Sequence, residues 1–277
     1  EHDAPAWRGE TWFQRLIEAS RRFLLRHARL VVVPNAERGR QLGDLGLTSD
    51  RLRIVWNGPA RHEIRRTPRS AATRVDFWLL YHGTIVPARV PLTLIDALAR
   101  LPRHIKLRIG GYETAGHVGY VQTILEHARA LGVADRVEIQ PAVDTRDRLL
   151  PLVDDCDLGL ALLPIDPVDV NERHMTGASN KVFDYLARGV PVLVTDRPEW
   201  QQVFVASGCA HACRPDSADS IADAVRWFDG HRHEAARMGE IGRLRVAGEW
   251  NYDRQFEPVW RDMQSADHGV AIHAHPH

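Results

Sequence analysis

Ser179-Asn180-Lys181-Val182-Phe183-Asp184-Tyr185-Leu186-Ala187-Arg188-Gly189-Val190-Pro191-Val192-Leu193-Val194 is the stretch whose reading decides the fold. It reads as a polar helix start, two apolar turns, a glycine stop and a buried strand. Ser179 or Asn180 is expected to cap the first free N–H groups of the helix and to leave others pointing outward, an end that attracts anions. Lys181 falls in the first turn. Asp184, three residues on, shares its face, so an ammonium and a carboxylate can address different parts of one ligand. Gly189 fits a left-handed C-terminal cap, and Val190-Pro191 then directs the chain into the extended Val192-Leu193-Val194.

Composition sharpens Lys181. The chain has 36 Lys+Arg residues but only two lysines, Lys106 and Lys181, so basic positions here default to arginine and a compact ammonium stands where a planar fork does not fit. The 277 residues suffice for one large or two smaller domains with a sizeable core. A formal net charge of +0 argues against a generic nucleic-acid binder. No apolar run approaches the roughly 18 residues of a membrane span and no secretory signal stands at the start, so a cytoplasmic protein is expected. The three cysteines, Cys156, Cys209 and Cys213, are too few for a disulfide framework. Cys209-x-His211-x-Cys213 invites a metal reading, but the alternation around it reads as a short strand, and no metal site is expected. The first residue is Glu1 rather than Met, which suggests a fragment or a processed product.

Outward from the opening stretch, strand and helix signals alternate: strand Phe77 to Tyr81, helix Leu92 to Leu101, strand Lys106 to Ile109, helix Val118 to Leu131, strand Val137 to Ile139. They continue with helix Arg146 to Asp154, strand Leu158 to Leu163, the opening helix and strand, a short strand near His211, and helices through Met263. The pattern predicts an α/β fold, a Rossmann-like parallel sheet with helices on both faces. Its ligand is expected beyond the carboxyl ends of the strands, where His82-Gly83-Thr84 and Gly110-Gly111-Tyr112 are placed as loops. Ahead of this unit, Thr11 to Ala28 reads as an amphipathic helix with Phe13, Leu16, Ile17, Phe23 and Leu24 on one stripe and Arg15, Arg21, Arg22, Arg26 and Arg29 largely off it. A core helix with a solvated cationic face is the expectation, and peripheral contact of that face with anionic lipid the alternative. Strand Leu30 to Pro34, helix Ala36 to Leu45 and strand Leu52 to Trp56 follow. The Arg- and Pro-rich run from Pro59 to Arg74 reads as a linker. The expected organisation is a partial α/β domain over 1–58, a linker over 59–75, a ligand-binding domain over 76–265 and a disordered tail with several histidines over 266–277.

The order of these motifs resembles the donor-binding half of GT-B-type retaining glycosyltransferases, in particular the large group 1 (family 4-like) family. Tyr81 to Arg89 is similar to the family's Gly-Arg-Leu-x-x-x-Lys-Gly stretch, and Leu94-Ile95-Asp96-Ala97-Leu98 to the helix after it. The likeness continues through Lys106 to Gly110, Leu131 to Val137, Cys156 to Pro164 and the opening segment, and ends at Glu249-Trp250-Asn251-Tyr252. Residues 1–58 resemble the close of the family's acceptor-side domain, most of which is not in the sequence.

The resemblance implies roles position by position. Arg89 matches the basic residue on the donor diphosphate, and Gly83 the glycine that lets backbone approach the donor. Thr84 stands where many relatives carry a second Arg, so Lys181, with Ser179 and Asn180 at the helix start, would share the phosphate load. Asp184 matches the second acid of a paired-acid motif, which accepts hydrogen bonds from ribose hydroxyls. The first acid, eight residues earlier, is replaced by Thr176. Glu172 lies near in the wrong register, and Glu199 could touch the cleft. His2 resembles a histidine placed near the reacting sugar. The implied activity is metal-independent, retaining transfer from a nucleoside-diphosphate sugar, such as a UDP- or GDP-sugar, to a saccharide, lipid-linked or small-molecule acceptor, with no cofactor and no nucleic-acid partner. Arg89, Lys181 and His2 are the catalytic candidates. A cytoplasmic protein, peripheral on the inner membrane face in the alternative reading, is implied. A non-catalytic nucleotide-sugar-binding or interaction module is the second reading, favoured by Thr84 and Thr176, and a nucleotide-sugar epimerase the third.

Overall fold

The first unit shows what an amphipathic pattern does when little stands opposite it. A computed structural model of the protein describes residues 12–69, 74–143, 145–167 and 170–270. Helix α1 (Trp12–His27) leads into β1 (Val31–Val33), α2 (Ala36–Gly43) and β2 (Leu52–Ile54), and the two strands pair in parallel. Asn35 starts α2 as the sequence suggests, its side chain accepting from Arg38 N at 3.0 Å. The expectation for α1 fails. Trp12, Phe13, Leu16, Ile17, Phe23 and Leu24 are all more than half exposed, and Leu25, off that stripe, is the helix's one buried residue. Two strands of three residues offer too little surface to cover a stripe four turns long. Arg51 instead caps the helix's C-terminal end, donating to the carbonyls of Leu25, Arg26 and Ala28 at 2.9–3.1 Å. No helix among the described residues is long and apolar enough to cross a membrane.

The second unit is a six-stranded, all-parallel sheet. In chain order its elements are β3 (Phe77–Ile85), α3 (Leu92–Ala99), β4 (Ile105–Glu113), α4 (Tyr120–Ala130), β5 (Val137–Pro141), α5 (Arg146–Asp154), β6 (Leu158–Ala161), α6 (Val170–Arg173), α7 (Lys181–Ala187) and β7 (Val192–Thr195). A short helix α8 (Pro198–Trp200) running into a π turn, β8 (Ala210–Cys213), α9 (Ala218–Gly230), α10 (Arg232–Gly248) and α11 (Tyr252–Val270) complete it. The spatial order is β5-β4-β3-β6-β7-β8, so the chain reverses its direction of growth between β3 and β6. That junction is the switch point where doubly wound sheets open a crevice. One core lies on the α3, α4 and α9 side of the sheet; the other, rich in aromatics, lies under α5 and α7. The predicted α/β architecture with both faces covered is what the chain forms.

Three local expectations change. His82-Gly83-Thr84 and Gly110-Gly111-Tyr112 are strand rather than loop, because β3 and β4 stay paired as far as Ile85 and Glu113. Gly111 permits this, since a Cβ there would lie 1.7 Å from the Gly83 carbonyl oxygen. The 59–69 stretch is likewise no loose spacer. Ile64 is buried, Arg65 N donates to Ala187 O at 2.9 Å, and Arg188 and Arg243 hold the carbonyls of Glu63 and Arg65. From the other end of the chain α11 returns to the first unit, where Arg53 Nε meets Asp262 Oδ2 at 2.6 Å. Helix continues to Val270, beyond the predicted start of a disordered tail at residue 266, because Ala266-Asp267-His268 contains no breaker. Residues 271–277 and His2 lie outside the described residues.

Candidate active site

Helix α7 is where sequence, packing and chemistry meet. Gly159 on β6 admits the Tyr185 ring, which a Cβ would meet at 2.3 Å, and the Tyr185 hydroxyl donates to Leu80 O on β3 at 2.8 Å. The helix is thereby pinned across the switch point. Gly189, at φ +74°, ends it as predicted: its N–H reaches Leu186 O and that of Val190 reaches Tyr185 O before β7 begins. The start departs from expectation. Helix begins at Lys181, Asn180 is exposed with helical backbone angles, and its side chain caps nothing. Buried Ser179 is held through its backbone, its N–H on Met175 O at 2.9 Å.

Lys181 and Arg89 face one crevice, lined also by Tyr81, Leu163, Met175, Ser179 and Trp200. Gly83 makes room for the lysine. It sits at φ +115° on β3, and a Cβ there would stand 2.8 Å from both Cε and Nζ of Lys181. Lys181 Nζ lies 5.7 Å from the centre of the Tyr81 ring and has no carboxylate or carbonyl partner among the described residues. Burial, then the neighbouring Arg89 charge, pulls its ammonium down to about 8, against a smaller opposing pull from Asp184. Among the described residues Arg89 has one counter-ion, Glu172 at 3.9 Å, and its buried Nε makes no hydrogen bond. Two cations thus crowd one crevice with little anionic compensation, an arrangement that a bound polyanion would relieve. Thr84 adds no charge; its carbonyl accepts from the Tyr81 hydroxyl.

Asp184 faces the other way, into the sheet. It is 1% exposed, with Oδ1 2.8 Å from Arg146 Nη2 and Oδ2 3.6 Å from His82 Nε2. The arginine contact is an ion pair off the hydrogen-bonding direction, so both carboxylate oxygens and His82 Nε2 remain buried without a hydrogen bond. Such orphaned groups are rare and cluster where a ligand completes them. Burial raises the Asp184 carboxyl to about 6 against the pull of Arg146. Burial, with the Lys181 and Arg146 charges, lowers His82 to about 3 and keeps it neutral.

Thr176, the position of the absent first acid, lies elsewhere. Its hydroxyl donates to Glu199 Oε2 at 3.0 Å, and Glu199 Oε1 stands 3.1 Å from His174 Nδ1. A carboxylate therefore reaches the Thr176 position from α8. Contacts with the first unit fix this loop: Asn35 donates to the carbonyls of His174 and Thr176, Asn57 to Ala178 O, and Gly177, at φ +73°, packs against Pro34 and Trp56. Sequence reasoning gave no role to His82, Arg146 or Glu63. His82 stands beside Gly83 within the quoted motif and was legible there; the other two are distant in sequence. Cys209, His211 and Cys213 form no metal site. They belong to β8 and its approach, both thiols are pushed up to about 12 by burial, and the His211 ring packs 3.9 Å from that of Trp227. Among the described residues no three His, Cys, Asp or Glu side chains are grouped to hold a metal.

The sequence model of a family described as "Glycosyl transferase-like" matches residues 89–260, from Arg89 through Asp184 and on into α11. The chain belongs to that family. This glycosyltransferase also shares its fold with solved structures of low identity. Anabaena HepE in complex with UDP and glucose is 15% identical with a TM-score of 0.70, over 91% of this chain and 67% of HepE. Sucrose-phosphate synthase from Thermosynechococcus elongatus is 16% identical with a TM-score of 0.66, over 91% of this chain and 62% of the synthase. WaaG, a glycosyltransferase involved in lipopolysaccharide biosynthesis, is 16% identical with a TM-score of 0.63, over 90% of this chain and 67% of WaaG. No curated protein sequence matches the chain significantly.

Proposed function

We propose that the chain carries the donor site of an enzyme that transfers a sugar, with retention and without a metal, from a nucleoside-diphosphate sugar to a saccharide, lipid-linked or small-molecule acceptor. The observation that carries the reading is the pairing of Lys181 and Arg89 in one crevice at the switch point, with one ion pair, Arg89 to Glu172 at 3.9 Å, to match them among the described residues. As the anomeric C–O bond breaks, its electron pair passes to the diphosphate oxygen. The two cations stabilise that developing charge, each contributing on the order of 2–4 kcal/mol to the transition state. Asp184, whose oxygens have no hydrogen bond among the described residues, accepts the ribose hydroxyls. HepE has been solved with UDP and with UDP-glucose, which supports a UDP-sugar as the first donor to test.

Calorimetry with UDP and GDP, followed by donor consumption with and without a chelator, tests this. Binding of either nucleotide with chelator-insensitive turnover sustains the proposal; failure to bind both refutes it. The second reading, a non-catalytic binding module, is favoured by Thr176 in place of an acid, and binding without turnover in the presence of acceptor would select it. We place the protein in the cytoplasm, at the inner membrane face when its acceptor is lipid-linked. The exposed apolar stripe of α1, edged by Arg15, Arg21 and Arg26, supports the lipid contact. Cosedimentation with phosphatidylglycerol vesicles, lost on Leu16→Glu, is the expected result; equal pelleting of both proteins contradicts it.

A further inference from the structure

The buried acid of the site is not held by its own helix. Arg146, at the start of α5, reaches it through Nη2, and Glu63 grips the same guanidinium, through Nε to Oε1 at 2.5 Å and through that shared Nη2 to Oε2 at 3.2 Å. Glu63 belongs to the segment that joins the two units, and its Oε2 also accepts the Ala60 N–H at 2.7 Å. The joining segment, Arg146 and Asp184 thus form one chain of charged contacts, and it ends at a carboxylate that is ion-paired but has no hydrogen bond among the described residues.

We infer that Arg146, anchored by Glu63, is a positioning residue that holds the buried Asp184 carboxylate ionised and fixed in place, so that the segment joining the two units governs how the donor's ribose is gripped. The inference rests on the proposal that Asp184 meets the ribose. It follows from competing terms. A carboxylate this buried protonates unless a cation stands beside it, and a protonated acid is a far poorer acceptor for neutral hydroxyls. The groups facing Asp184 are Arg146 from α5, His82 from β3, Glu63 from the joining segment and Lys181 from α7, while Tyr185 turns its hydroxyl away to Leu80 O. His82 is neutral and Glu63 opposes ionisation, so Arg146 is the principal group favouring the charged acid, with Lys181 second. Glu63 raises the acid by its charge and lowers it by fixing Arg146, and the bidentate geometry favours the second effect.

The test uses the full chain and two independent readouts. In the ligand-free protein, the Asp184 carboxyl carbon is followed by NMR from pH 4 to 9 in wild type, Arg146→Gln, Arg146→Lys and Glu63→Gln. The wild-type midpoint is expected near 6, about one unit or more higher in Arg146→Gln, intermediate in Glu63→Gln and partly restored in Arg146→Lys. Calorimetry at pH 6.5 with UDP and with its 2′,3′-dideoxy analogue is expected to give about threefold weaker UDP binding in Arg146→Gln, with the analogue's affinity unchanged. A merely structural arginine would weaken both ligands alike and leave the midpoint in place, and that result overturns the inference. Should Arg146→Gln not fold, Arg146→Lys and Glu63→Gln carry the same comparison. A midpoint that moves as expected in a protein that binds neither UDP nor GDP instead refutes the donor-site reading.

Discussion

The crevice and the buried acid behind it solve opposite electrostatic problems. On the cationic side Lys181 and Arg89 line one crevice, and among the described residues their one ion pair is Arg89 with Glu172 at 3.9 Å. On the other side Asp184 is supplied with a cation, which is in turn supplied with Glu63. The difference teaches where a ligand contributes charge and where it contributes only hydroxyls. A diphosphate brings its own anions and leaves the cations to be satisfied by binding. A ribose brings neutral donors, so the protein must keep the acceptor charged by itself.

The contrast breaks most easily on the cationic side. Lys181→Ala and Arg89→Ala are each expected to lower turnover by roughly 30- to 1000-fold, measured as donor consumption under single-turnover conditions. Near-wild-type rates in both would remove the phosphate role. Lys181→Met should lose donor affinity while gaining stability. The native lysine has a lowered pKa, so its ionisation penalises the fold in full below about pH 8, and the penalty falls away as pH rises from there through the ordinary lysine range. A melting temperature raised by a few °C at pH 7, converging with wild type near pH 11, is the expected result in thermal denaturation.

Asp184→Asn sharpens the other side. UDP affinity should fall about tenfold by calorimetry, while the melting temperature at pH 7 does not drop. A raised carboxyl pKa favours the fold only at acid pH and loses that advantage as pH rises through about 6. A large loss of stability would make Asp184 a structural ion pair. Glu199→Gln is the mildest change. Its carboxylate is 48% exposed beside Thr176, so UDP affinity should stay within about twofold while UDP-glucose binding weakens by about two- to fivefold. Equal effects on both ligands would exclude Glu199 from the sugar end.

Much of the cationic side's placement was legible in the sequence, because α7 carries its own start, stop and following strand within sixteen residues. Lys181, Gly83 and Arg89 lie in or beside strands whose order is set by alternation, and the fold brings all three to the β3–β6 junction. The acid side was half legible. Asp184 could be named, but its partners come from a helix start 38 residues earlier and from the joining segment, and no local pattern encodes such contacts. Helix periodicity gave α1 its apolar stripe without saying which way the stripe faces, since that depends on what is packed opposite. The caps assigned to Ser179 and Asn180 failed because propensity describes a residue type, whereas the loop before α7 is fixed by Asn35, Asn57 and Gly177.

The central claim, that the Lys181 ammonium meets a diphosphate, is tested most directly by proton linkage. Calorimetric titration with UDP at pH 8, in two buffers of different ionisation enthalpy, counts the protons taken up on binding. The free lysine is half ionised there and the nucleotide's phosphates are already deprotonated. Pairing with phosphate completes the ionisation, so the wild-type chain should take up about half a proton, and Lys181→Met none. Binding without proton uptake in the wild type, or equal uptake in both proteins, would contradict it.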